Sequence, residues 1–318
     1  MKRRTLLLSI LLLFPALLPA AGEPAPSAAR PAAPAPDQIS LELVGYMGQA
    51  AQGLALANGY AYVTLSRELA ILDISDPAHP RRVGYVVLPG TADDVAVAGG
   101  YAYVLSLGNL YVVDVSDPAA PHIAGSCGNG YGLFALDVSG GYVYTIGWEG
   151  LWAVDVSNPS APHVVGSGST VGVDISISGS HAYVAGGYDG TGLRVVDLAN
   201  PTAPVEVGSL EASAVGVYAV GSYAYVADLR AAVHSRLRII DVSDPAHPQE
   251  VGYAGLFGVN GPWGNLDGVY VSGHTAYVAG AFLTFSGKLY GGFDVCLLYT
   301  SDAADDLLCV DLGGRRII

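Results

Sequence analysis

A five-residue pattern ending in aspartate comes round six times in this chain of 318 residues. It reads LAILD from Leu69, LYVVD from Leu110, LWAVD from Leu151, LRVVD from Leu193, LRIID from Leu237 and, degraded, YGGFD from Tyr290. The aspartates Asp73, Asp114, Asp155, Asp197, Asp241 and Asp294 stand 41, 41, 42, 44 and 53 residues apart. A repeat of about 40 residues holding several short strand-like runs cannot bury a core alone, so such units must stack on one another. That period predicts a radial array of small sheets.

The second copy shows how one repeat becomes one sheet. DVAVA from Asp94, YAYVLS from Tyr101, LYVVDV from Leu110 and HIAGS from His122 are four runs separated by turn residues, which predicts a four-stranded antiparallel meander. The first run is built from small residues, as at Val95-Ala96-Val97-Ala98 and Ile175-Ser176-Ile177-Ser178, and small side chains suit the crowded innermost position of a radial array. Gly99-Gly100, Gly140-Gly141, Gly221-Ser222 and Asn58-Gly59 supply residues that tolerate positive φ for tight hairpins. The second run carries Tyr-x-Tyr at Tyr60/Tyr62, Tyr101/Tyr103, Tyr142/Tyr144 and Tyr223/Tyr225, both rings on one face and read as packing between units. After the third run, Asp-x-Ser-Asp-Pro at residues 73–77, 114–118 and 241–245 stops the ladder, because proline has no N–H and the carboxylates cap the turn. The expected fold is all-β: a β-propeller of four-stranded blades, six visible and seven possible in an uninterrupted gene.

The combination of LxxVD, SDPxxP and YAYV at fixed offsets resembles the LVIVD-repeat proteins over residues 41–295. The resemblance implies a propeller in a secreted or surface-exposed protein and brings no catalytic or ligand residues to transfer. The sixth copy departs from the pattern in its pentapeptide and in an insert at residues 255–264.

In an antiparallel meander the glycine hairpins and proline turns share one face, and the loops joining second to third strands share the other with the blade-to-blade loops. The second set differs from copy to copy, and non-repeated residues on a repeated scaffold are where function is expected. Trp148, Tyr188, Asp189, Asp228, Arg230, His234, Arg236 and Trp263 are the candidate ligand-binding residues there. Aromatic and Arg anchors dominate protein interfaces, and flat rings beside polar groups also suit carbohydrate. The other reading of each is a solvated loop residue.

Asp93, Asp94, Asp174 and Asp267 open innermost strands and are weak candidates for a calcium site, with Gly53, Ala135 and Gly216 in the Asp94 place elsewhere. His79, His122, His163 and His247 lie in or beside proline turns, which leaves His234 as the one loop histidine to test. No Gly-rich phosphate loop, nucleophile elbow, Cys-x-x-Cys or His-Glu-x-x-His is present, so catalysis is not expected and no cofactor is assigned. Two alternatives stand: a surface-adhesion or structural module of a larger secreted protein, and a metal-dependent hydrolase or lyase working at the channel mouth.

The formal net charge of −14 opposes partners that present phosphates, so neither nucleic acid nor an anionic membrane is expected. Met1-Lys2-Arg3-Arg4, a leucine-rich run to Leu18 and small residues at Ala20-Ala21-Gly22 read as a cleaved signal over residues 1–22, too short for a span. The product would be periplasmic, secreted or on the cell surface, and monomeric. Residues 23–38 form a Pro/Ala-rich linker, and residues 39–295 the propeller. The string at residues 296–318 resembles a translated sequencing adapter and is set apart as a non-native tail; the alternative is a real strand with Cys296 and Cys309 paired. With the tail removed only Cys127 remains, which excludes an intrachain disulfide. LELVGY at residues 41–46 carries the outer-strand signature without a blade of its own and is expected to complete the last sheet.

Overall fold

Alternating apolar and polar residues between Gly, Pro and Asp turns give strands, and in the computed structural model the strands form six four-stranded antiparallel sheets in a blade arrangement. The residues described are 51–128, 132–187, 191–230, 234–255, 263–283, 289–297 and 309–311. No helix occurs among them. Numbered in chain order, blades 1 to 6 cover residues 54–87, 92–128, 133–168, 174–210, 214–255 and 263–311. Each sheet follows the chain: in blade 2 the inner strand Ala92–Ala98 is followed outward by Tyr101–Ser106, Asn109–Asp114 and His122–Gly128.

The inner strands Leu54–Ala57, Ala92–Ala98, Leu133–Ser139, Asp174–Ser178, Ala214–Val220 and Trp263–Ser272 pack each against the next, which places the small-residue run innermost. The core is correspondingly segmented. Five apolar clusters fill the five interfaces between consecutive blades; Leu69 and Ile71 of blade 1 meet Val95, Val104 and Val113 of blade 2 in one of them. Each such buried aliphatic side chain contributes roughly 1.5–3 kcal/mol. The second tyrosine of each pair belongs to this packing, with Tyr62, Tyr103, Tyr144 and Tyr225 all buried. Burial pushes their hydroxyls above the usual tyrosine range.

The turns follow the chemistry read from sequence. Gly99 and Gly100 take φ of 60° and 83° in the blade 2 hairpin. The backbone N–H of Ser75, Ser116, Ser157 and Ser243 donates to the aspartate two positions earlier, at 2.8 to 2.9 Å. The outer strands of blades 1 to 4 each carry a register shift followed by a glycine, and that glycine holds the proline turn of the next blade. A Cβ on Gly84, Gly125, Gly166 or Gly208 would overlap the carbonyl oxygen of Pro118, Pro159, Pro201 or Pro245 respectively.

Blade 6 departs from the repeat. Its strand Thr275–Leu283 pairs with Leu289–Leu297 so that Thr275 faces Leu297, the place where His181 of blade 4 faces Asp197. Asp294 therefore does not occupy the strand-end position that the degraded pentapeptide suggested, and the strand runs across residue 295. The outer position is taken by Cys309–Asp311, with Cys296 and Cys309 as opposed partners in register. The segment expected there, residues 41–46, lies outside the described residues, as do the signal and linker at 1–38.

Candidate functional site

The face that carries the second-to-third strand turns is built differently in each blade. In blade 3, the turn between Tyr142–Gly147 and Gly150–Asp155 lifts Trp148 into solvent, where it is 72% exposed. Its backbone N–H donates to the carbonyl of Gly132 at 2.9 Å. The Phe134 ring meets the indole nearly at right angles, 5.1 Å between centroids. Edge-to-face support of this kind fixes one ring without covering it. Leu107, 54% exposed at the matching turn of blade 2, is the neighbouring apolar group on the same face. Trp148 is thus an exposed aromatic ring on this face, held by its backbone and by Phe134.

Asp228 and Arg236 are placed otherwise. The expected loop at residues 228–236 is mostly strand, because Tyr223–Arg230 and His234–Asp241 stay paired through Asp228–Arg236, Leu229–Ser235 and Arg230–His234. Asp228 is fully buried. Its carboxylate accepts the N–H of Ser213 at 2.9 Å and the Nε–H of Arg236 at 3.2 Å, with Arg238 Nη1 at 3.6 Å. Glu250 on the outer strand takes Arg238 Nε at 2.5 Å and lies 3.8 Å from Arg236 Nη2. Arg238 also donates to the carbonyl of Glu211 at 2.7 Å, and the Arg236 guanidinium lies over Tyr253 at 5.1 Å. A buried carboxylate survives only with such partners. Asp228 and Arg236 therefore act inside blade 5 as parts of a two-acid, two-arginine network, which corrects their assignment to an exposed loop. Arg238 and Glu250 were missed, although Arg in the pentapeptide opposite Glu in the next run was a readable signal.

The remaining loop candidates fall within the sequence of blades 4 to 6. Arg230 and His234 are the last backbone pair of the extended blade 5 hairpin. Trp263 begins the long inner strand of blade 6 opposite Leu283. Tyr188 and Asp189 lie outside the described residues; beside them, the Gly187 N–H donates to the carbonyl of Ala214 in blade 5 at 2.7 Å.

The innermost carboxylates bridge blades. Asp94 accepts the N–H of Val95 at 2.8 Å through one oxygen and of Leu136 at 2.9 Å through the other. Asp174 does the same for Ile175 and Val217, both at 2.8 Å. Asp137, two residues after the Ala135 that fills the Asp94 place, bridges to Ile177 at 2.7 Å, and Ser176 accepts from Ala219 at 3.1 Å. Asp93 has its carboxyl pushed up by burial. Asp267 stands at the register shift within the first ladder of blade 6, between Leu266 and Gly268. Among the described residues no group of three or more His, Cys, Asp or Glu could hold a metal ion. His79 and His247 are held in their turns by Asp76 and Asp244, each at 2.9 Å.

The LVIVD repeat model matches residues 48–87, 89–129, 135–170, 172–212 and 211–254, which correspond to blades 1 to 5. The chain belongs to the LVIVD-repeat family. Among solved structures, this LVIVD-repeat chain is similar to the RRP9 WD40 repeats at 10% identity, covering 85% of this chain and 82% of that one, with a TM-score of 0.58. It is also similar to a functionally unknown protein from Desulfotomaculum acetoxidans, at 12% identity over 79% and 91% of the two chains and a TM-score of 0.53. The computationally designed Ika8 protein matches at 9% identity over 78% and 83%, with a TM-score of 0.54. At such identities the likeness concerns the fold. No curated protein matches the chain.

Proposed function

We propose that this LVIVD-repeat chain is a secreted or surface-exposed β-propeller scaffold that binds a protein or carbohydrate ligand through its variable-turn face, with no catalysis of its own. The observation that carries the reading is Trp148, 72% exposed and braced edge-on by Phe134. A large ring left in water serves packing poorly, whereas the same ring covered by a ligand is a typical hot spot. The signal-like N-terminus and the family resemblance support secretion.

The test is a titration of the purified chain against a panel of cell-wall oligosaccharides and secreted proteins, followed by Trp148→Ala. Loss of such an anchor costs about 2 kcal/mol or more of binding free energy, roughly thirtyfold in Kd. A ligand whose affinity is indifferent to Trp148→Ala places the binding surface elsewhere and refutes the reading.

A further inference from the structure

On the face that carries the glycine hairpins and proline turns, blades 1 and 2 leave a cleft of about 520 Å³ between them. That volume is in the range of small-molecule sites. Asn58, Tyr60 and Tyr62 line it from blade 1, and Val97, Val115 and Pro118 from blade 2. Two of these residues offer more than packing. Tyr62 is only 3% exposed, and its hydroxyl has no hydrogen-bond partner among the described residues. A phenol so deeply placed usually finds one. Asn58 stands with φ of 52° at the first position of its hairpin, where the other five blades have Gly99, Gly140, Gly179, Gly221 and Gly273 at 59° to 62°. Five times this position is bare backbone; once it carries an amide, exposed at the rim of the cleft.

We propose that this cleft binds a neutral sugar, with the Tyr62 hydroxyl donating to a sugar oxygen at its floor and the Asn58 amide pairing with sugar hydroxyls at its rim. The lining decides the chemistry. None of the side chains that line the cleft is charged, so neither an anion nor a cation finds a counter-charge there. Asp114, behind the lining Ser116, is occupied: one of its oxygens accepts both the Ser116 backbone N–H at 2.9 Å and the Ser116 Oγ–H at 2.6 Å. A wholly apolar ligand would desolvate the Tyr62 hydroxyl and the Asn58 amide with nothing in return. The Tyr60 and Tyr62 rings, with Val97, Val115 and Pro118, form an apolar wall. A sugar ring matches both demands, since it has an apolar face and hydroxyls around its edge. Burial and the neighbouring Tyr60 push the Tyr62 hydroxyl above the usual tyrosine range, which keeps it protonated and able to donate. This site lies on the opposite face from Trp148 and does not depend on it.

Calorimetric titration of the intact chain with galactose, N-acetylglucosamine and maltose tests the proposal, with galacturonate and glucosamine as charged counterparts. At least one neutral sugar is expected to bind, and Tyr62→Phe and Asn58→Gly are each expected to weaken it about fivefold, the loss of one hydrogen bond. Phenylalanine keeps the packed ring and glycine is the residue of the other five hairpins, so both variants retain the fold. Four results overturn it: no binding of any neutral sugar, charged sugars bound as tightly as neutral ones, binding indifferent to Tyr62→Phe, or binding lost in Trp148→Ala while Tyr62→Phe keeps it. The last would place the sugar on the variable-turn face.

Discussion

Asp94 Oδ2 accepts the backbone N–H of Leu136 at 2.9 Å and so ties together two inner strands that lie 42 residues apart in sequence. The same bond recurs from Asp137 to Ile177 and from Asp174 to Val217, a chain of carboxylate bridges running from blade 2 to blade 5. Gly53 stands in the Asp94 place in blade 1 and Gly216 in blade 5, and neither can make the bridge. Repeat proteins are held by nearest-neighbour interfaces, so these bridges strengthen some interfaces and not others.

Asp94→Ala leaves the N–H groups of Val95 and Leu136 without the carboxylate they now share. Each buried donor so orphaned costs roughly 1–3 kcal/mol. Urea denaturation is expected to show a lower midpoint for Asp94→Ala, with an unchanged slope. A wild-type midpoint would mean that water or a neighbouring group replaces the bridge at no cost.

Acid should weaken the turns. The Ser116 and Ser157 hydroxyls and backbone N–H groups hold Asp114 and Asp155 below the usual carboxylate range, and the N–H groups of Ser75 and Ser243 do the same for Asp73 and Asp241. A carboxyl group lowered in the folded state stabilises above its unfolded value, about 4, and that contribution is lost as pH falls through the folded value. Asp93, raised by burial, has the opposite sign: it penalises folding as pH rises. Thermal melts are expected to show Tm falling below about pH 4, and Asp93→Asn is expected to raise Tm at neutral pH and leave it unchanged near pH 3.

How far the sequence discloses this structure depends on whether a residue recurs. Asp73, Pro77, Gly99, Gly100 and Tyr103 recur at fixed offsets, and each does in the structure what its chemistry predicts. Asp228 and Arg236 occur once. An insertion between two strands reads alike as a longer loop or a longer hairpin, and the choice fell to cross-strand pairing of opposite charges, a tertiary property. Asp137 was overlooked for a related reason: it bridges blades from a position two residues beyond Asp94's, on the same strand face. In blade 6 a recurring letter misled, since Asp294 completes a pentapeptide by eye while the ladder puts Leu297 opposite Thr275.

Thr145 is a site where one substitution should add stability. Its hydroxyl is buried without a hydrogen-bond partner, on a strand where the repeat places Val104, Val184 and Val226 at the same position after the hairpin. Valine has nearly the same shape and no polar atom to desolvate. Thr145→Val is expected to stabilise by about 1 kcal/mol and to raise Tm by a few degrees in a calorimetric scan. A lower Tm would show that the hydroxyl is satisfied in solution.

The blade 5 network makes the strongest demand on its members acting together. Removing Arg236 leaves Asp228, with no exposed surface, relying on Arg238 at 3.6 Å and the Ser213 N–H. Breaking one partner of a buried pair costs about 3–5 kcal/mol, because the remaining charge stays desolvated. Asp228→Ala should likewise leave two guanidiniums with Glu250 as the one carboxylate of the network. The double variant removes one charge of each sign, so its loss is expected to fall short of the sum of the two single losses by about 1–3 kcal/mol. Chemical denaturation of the four proteins gives that coupling directly. Additive losses would mean that Asp228 and Arg236 do not sense one another, and single variants as stable as the parent would return both residues to the solvated loop that the sequence suggested.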